Sequence, residues 1–311
     1  MKKKKQKNAE GKRLISDRRL AVLAIIVVAI IVSGFLVSRL FSPALEVEFP
    51  MTAAIVDQIG ENLPSNPSEA RFFNETVTAI LQKAGFTVYY YGSETVTVEF
   101  FRNLTKGNYG MIILRTHAAL RKDETMLDFF TSEAYSSGKY ANELKEGLLT
   151  RGNYSWEIGK YYFAVTPKFI ENLEGSFPKS IIISMGCWSL ATDYGEMAQA
   201  FIKKGAKLYI GWTDTLLMPY DDNSTIRFLQ YFLERNMTVF QAVYECNRIH
   251  DPDDPVFIPG KLYPFRLTEL TYSPAAVKNY RFPDFKAKSS SAMFSSFVSA
   301  NPVASKEFCK R

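Results

Sequence analysis

Short apolar runs alternate with longer stretches of helical spacing between residues 53 and 249. Ala53–Ile59, Thr87–Tyr91, Gly110–Arg115, Ile181–Ser184 and Ala206–Trp212 read as strands. Ile181–Ser184 is nearly all apolar, as expected of a strand covered on both faces. Helical spacing runs through Ser68–Ala84, which stops at Gly85, through Thr95–Leu104, and through Gly195–Lys204, which stops at Gly205. A further helix is expected from a cap at Asp222 or Asn223 to about Arg235, and another over Val239–Ile249. This alternation predicts an α/β fold with a doubly wound, mostly parallel sheet.

Residues 118–175 interrupt the pattern. Leu127–Phe130, Thr131–Glu133 and Trp156–Val165 suggest a β-rich insertion, and Tyr135–Gly147 reads as a helix or a loop. Thr166–Leu173 reads as a short helix with Pro167 at its first position. Beyond it, His250–Pro264 holds four prolines and reads as a surface loop. No internal repeat is present. The expected organisation is a basic tail (1–19), a transmembrane anchor (20–41), the α/β domain (42–265) and a partly disordered C-terminal extension (266–311).

The anchor rests on Leu20–Val37, a run of 18 residues without a charge that Leu40 and Phe41 extend. About 20 apolar residues span a bilayer. A cleaved signal peptide is the alternative, but Ser38–Pro43 is a poor cleavage site and the apolar run is long for one. Charge changes the picture here. The whole chain is +6, yet its first 19 residues alone are +7, so the remainder is nearly neutral at −1. The basic balance therefore belongs to the tail and gives no reason to expect a nucleic acid partner. By the positive-inside rule the tail is cytoplasmic, and the chain is a single-pass protein of the cell membrane with its main domain outside. Sequons at Asn74, Asn103, Asn153, Asn223 and Asn236 suit a glycosylated exterior. Cys187, Cys246 and Cys309 are an odd set. Cys246 and Cys309 could pair, or be a buried thiol and a tail thiol.

Two strand patterns end on residues that carry chemistry. Gly110–Arg115 leads to His117, and Ile181–Ser184 leads through Met185 and Gly186 to Cys187. Ligand sites of open parallel sheets lie beyond the carboxyl ends of the strands. A thiol is a nucleophile for acyl transfer when an imidazole takes its proton, and backbone N–H groups at a tight turn can hold the oxyanion. Each residue alone is more often structural than catalytic; it is their equivalent placement that points to a pair. No metal-ligand cluster and no cofactor motif is evident. His250–Asp254 could bind a cation, but reads better as a solvated acidic loop.

An apolar strand ending in His and a later one ending in Cys resembles the caspase-like cysteine peptidases, a group including caspases, gingipains and CHAT-type peptidases. Cys187-Trp-Ser and Glu196–Trp212, a helix closing on Gly-Ala before a strand, look like the CHAT and gingipain pattern. Phe228–Tyr244 resembles the following helix pair. The resemblance covers about residues 50–250. It implies Cys187 as nucleophile, His117 as general base and acid, and an oxyanion hole from the backbone N–H groups of Cys187 and Ala118. It further implies a peptide or protein substrate held in a pocket that Asp214, Trp212 or Trp188 would line, with Asp193 and Glu196 as weaker candidates. Asp214 could select a basic residue, or be a loop acid. Family members usually have Gly after the His, where this chain has Ala118. The expected function is a membrane-anchored extracellular cysteine endopeptidase. The alternative is a catalytically inactive, caspase-like surface binding or adaptor protein. An unrelated α/β receptor domain with a ligand at the same edge is a third reading.

Overall fold

The computed structural model describes residues 26–34, 48–60, 67–121, 126–154, 157–248 and 268–286. The chain divides into two units, Met1–Glu46 and Val47–Arg311. In the first, helix α1 covers residues 26–34 with exposed side chains. Among the described residues no helix is long and apolar enough to cross a membrane. The rest of the expected anchor, residues 20–25 and 35–41, lies outside the described residues, as does the 250–254 loop.

The second unit is built on a six-stranded sheet of β1 (Thr52–Asp57), β2 (Thr87–Tyr91), β3 (Met111–Arg115), β8 (Ile181–Ser184), β9 (Leu208–Trp212) and β10 (Leu270–Ser273). The spatial order is β10-β9-β8-β3-β1-β2. All neighbours pair in parallel except β10, which is antiparallel to β9. The chain therefore starts in the sheet at β1, adds β2 on one side, and then returns to add β3, β8 and β9 on the other. That reversal puts a topological switch point between β1 and β3.

Alternation along each strand feeds two cores. Ala53 and Ile55 of β1 join one cluster, and Ala54 and Val56 join the other. The first core lies under α2 (Pro67–Lys83), α7 (Met218–Leu229), α8 (Val239–Arg248) and α9 (Phe282–Lys286). The second lies under α3 (Val98–Arg102), α5 (Pro167–Glu171) and α6 (Glu196–Lys203). Covering both faces explains why the central strands read as continuous apolar runs.

The insertion after β3 forms its own antiparallel sheet from β4 (Ala118–Leu120), β5 (Leu127–Ala134), β6 (Leu149–Gly152) and β7 (Tyr162–Val165), in the order β4-β5-β7-β6. A short α4 (Ala141–Lys145) fills the stretch that read as helix or loop. Two elements differ from expectation. Helix α7 begins at Met218, with Pro219 in its first turn, so Asp222 and Asn223 lie inside the helix and cap nothing. The reason is local: Pro presets helical φ at the first turn, and Asp222 is drawn inward by an arginine. Residues 270–273, expected in a C-terminal extension, supply the edge strand β10, and Phe282 and Phe285 of α9 pack into the first core.

Candidate active site at the carboxyl edge of the sheet

Strands β3 and β8 are direct neighbours, in register from Met111↔Ile181 to Leu114↔Ser184. The pairing continues one step further, where the Met185 N–H donates to Leu114 O at 2.9 Å. Beyond this the two chains touch at Gly186 and Ala118. A Cβ on Gly186 would stand 2.5 Å from the Ala118 Cβ, 3.1 Å from Thr116 O and 3.3 Å from Ala118 N. Only glycine fits that seam. His117 precedes one contacting residue and Cys187 follows the other, so the two candidate groups leave adjacent strands at the same edge. Both are half-buried.

The turn carrying Cys187 is tied to the end of β9. Trp188 N–H donates to Asp214 O at 3.1 Å, and Leu190 N–H donates to Trp212 O at 2.9 Å. Ser189 Oγ accepts from Trp212 N at 3.0 Å and donates to Ser184 O at 3.2 Å. Trp188 has a left-handed φ of 54°, which makes the turn after Cys187 sharp. The Cys187 thiol contacts Leu216 O at 3.7 Å. Burial pushes the thiol pKa up to about 11, with the charges of Asp221 and Asp214 adding; backbone hydrogen bonding from Leu216 and from the residue's own amide acts the other way.

His117 is held by groups that the sequence did not single out. Its backbone N–H donates to Gln58 Oε1 at 3.0 Å. Gln58 Nε2 in turn donates to the Tyr154 hydroxyl at 2.6 Å. The Tyr154 and Phe130 rings flank the imidazole with centroids 5.0 and 4.8 Å away. Burial lowers the His117 pKa to about 4 and raises that of Tyr154 to about 12. Gln58 follows β1 at the switch point and is 3% exposed. A polar residue near the end of the first apolar run was its one sequence signal.

The oxyanion candidates are placed as follows. Phe130 N–H donates to His117 O at 2.9 Å, and Ala118 pairs with Phe129. Residues 117 and 130 thus stand opposite one another with a single hydrogen bond, the His117 N–H going to Gln58 instead, and because His117 C=O points to β5 the next N–H along the chain, that of Ala118, faces away from it. It faces the Gly186 side, where its nitrogen stands 3.3 Å from the space a side chain would fill. The Ala118 methyl is buried at 1% exposure in the seam rather than standing over the edge.

The expected pocket residues separate. Trp212 is 1% exposed and packs against the Tyr220 ring at a tilt of 50°, with its indole N–H donating to Asp221 Oδ1 at 2.8 Å. It is a core residue and lines no pocket, because the end of β9 is still covered by α7. Trp188 and Asp214 are half-buried beside Cys187. The Asp214 carboxylate accepts from Thr215 N–H at 2.7 Å, the bond of a loop acid. Asp193 and Glu196 are exposed at the start of α6.

Beneath the edge lies a buried charge cluster that sequence reading missed. Arg115 donates to both oxygens of Asp222, at 2.9 and 3.1 Å, and to Asp57 Oδ1 at 2.8 Å. Asp57 also accepts from Tyr90 Oη and Gly60 N. Burial, helped by Asp222, raises the Asp221 pKa well above its ordinary value. Among the described residues no group of His, Cys, Asp and Glu is arranged to hold a metal ion. Cys246 is buried against Ser224 O, and Cys309 lies outside the described residues.

No family model matches the sequence, and no curated protein matches it. A solved structure with a similar fold is that of the Arg-specific cysteine proteinase gingipain R, at 10% identity and a TM-score of 0.42. The match covers 67% of this chain and 44% of that one, so this chain spans less than half of that protein's length. The assignment of the site rests on its own geometry.

Proposed function

We propose that the protein is a cysteine endopeptidase, with Cys187 as nucleophile and His117 as general base and acid. The observation that carries this reading is the Gly186–Ala118 contact, which delivers a thiol and an imidazole to one strand-end edge. With the thiol raised and the imidazole lowered, both are neutral at pH 7. Attack is then coupled to proton transfer: as sulfur bonds to the scissile carbonyl carbon, His117 takes the thiol proton. The N–H groups of Cys187 and Ala118 hold the oxyanion. Collapse breaks the C–N bond, the imidazolium returns the proton to the leaving amine, and water then hydrolyses the thioester. Trp188 and Asp214, flanking Cys187, would contact the substrate.

The apolar run and basic tail support anchoring through residues 20–41, with the main domain outside the cell. Asn153 and Asn236 are exposed outside helices and are the best-presented sequons. Asn103 is less so, since it is half-buried and its amide donates to both Glu99 O and the Glu99 carboxylate. The test is cleavage of a diverse peptide library by the full chain, with Cys187→Ala and His117→Ala alongside. Cleavage lost in both variants supports the assignment; cleavage unchanged in either overturns it.

A second reading is favoured by one observation, the tight packing of the His117 ring between Phe130 and Tyr154. A pair held neutral and packed suits an inactive member that binds a polypeptide at the same edge. That reading predicts no cleavage by the parent protein and no loss of peptide binding in His117→Ala.

A further inference from the structure

The sheet's outer edge at β2 is open among the described residues. Thr87 N–H donates to Met51 O at 2.9 Å, and the parallel register runs Thr52↔Thr87 to Val56↔Tyr91. In that ladder residues 87, 89 and 91 turn their backbone groups toward β1, whereas Val88 and Tyr90 turn theirs outward. Edge strands of monomeric proteins are ordinarily blunted by lysine, proline or a bulge. The strand Thr87-Val-Tyr-Tyr-Tyr91 has none of these and no charge. Tyr89 and Tyr90 are 47% and 45% exposed.

The ends of the strand carry opposite charges. Lys83 closes α2 just before β2, with its side chain 73% exposed though paired with Glu234, and exposed Glu94 follows the strand. A parallel partner strand would bring like charges together, whereas an antiparallel copy brings each Lys83 end to the other's Glu94 end. We infer that β2 is a self-association edge, pairing antiparallel with β2 of a second copy across a two-fold axis at Tyr89. The axis makes Tyr89 face Tyr89 of the other copy in a non-hydrogen-bonded pair. Each Val88 then faces the other copy's Tyr90, and these two pairs contribute four hydrogen bonds. The two sheets become one continuous sheet, with each candidate active site left open at its own carboxyl edge. This inference does not rest on the peptidase reading.

The test uses the full chain in detergent solution. Light scattering is expected to give twice the 35.3 kDa chain mass for the protein component, and Val88→Pro is expected to halve it. Val88→Pro removes an outward N–H and none of the ladder to β1. Facing Cα atoms in such a pair are about 4.5 Å apart, within reach of a disulfide. Tyr89→Cys should therefore give a covalent dimer under mild oxidation, ahead of both the parent chain and Thr87→Cys. A monomeric parent overturns the inference, as does Thr87→Cys cross-linking as fast as Tyr89→Cys. So does a monomer whose Val88 and Tyr90 amides resist hydrogen exchange, which would give the edge to another occupant.

Discussion

Gly186 has two neighbours that leave no room for a side chain: the Ala118 methyl, and the backbone of Thr116 and Ala118. Gly186→Ala should cost about 1–3 kcal/mol, the usual scale of overpacking. It should also spread the seam from which Cys187 and His117 leave adjacent strands. Denaturant unfolding checks the first effect, and loss of catalytic rate beyond the loss of stability checks the second. His117 makes a separate prediction. Its pKa is lowered by burial from 6.5 to about 4, so the unfolded chain binds the proton more readily. His117 therefore destabilises the fold as pH falls from 6.5 toward 4, by up to about 3 kcal/mol, and has no such effect above that window. Comparing urea midpoints at pH 7 and pH 5 for the parent and His117→Gln should show a smaller fall in the variant. The placement of these residues was legible because an apolar strand announces its own end. Their environment was not: Gln58, Tyr154 and Phe130 converge on His117 from β1 and from the insertion, and no local pattern marks that meeting.

Among the elements, β1, β3, β8 and β9 were read well because burial on both faces leaves an unbroken apolar signature. Helix α7 was misread at its start for a physical reason. Asp and Asn favour caps, so Asp222 and Asn223 looked like a helix origin. Tertiary charge overrode that preference, since Asp222 binds an arginine 107 positions away. Arg115 itself read as the polar end of a strand. Trp212 likewise read as a pocket wall, though the first turns of α7 cover it. Strand β10 has four residues and no periodic signal, and its pairing with β9 is fixed by contact alone. The Arg115 cluster ties β1, β3 and α7 together beneath the site. Arg115→Met would leave two buried carboxylates without their cation, at a cost of about 3–5 kcal/mol. Thermal unfolding should show that loss, and Asp57→Asn combined with Arg115→Met should recover part of it. No recovery would mean that the arginine acts through packing on Phe73 rather than through charge.

At the scale of the whole molecule, charge and hydropathy divide the chain more sharply than fold does. The tail's +7 and the apolar run behind it belong to the first unit, whereas the nearly neutral remainder holds the sheet and the candidate pair. The switch point between β1 and β3 gathers Gln58, His117 and, one strand over, Cys187 at a single edge. The insertion sheet reaches that edge through Phe130 and Tyr154. A peptide arriving there would meet a neutral thiol and a neutral imidazole, so chemistry requires the two to act together. Covalent labelling of Cys187 tests this most directly. A peptidyl acyloxymethyl ketone incubated with the full chain at pH 7, followed by peptide mapping, should place the adduct on Cys187. The adduct should be strongly reduced in a folded His117→Ala variant. Absence of an adduct from Cys187, or labelling that His117→Ala leaves unchanged, would contradict the dyad.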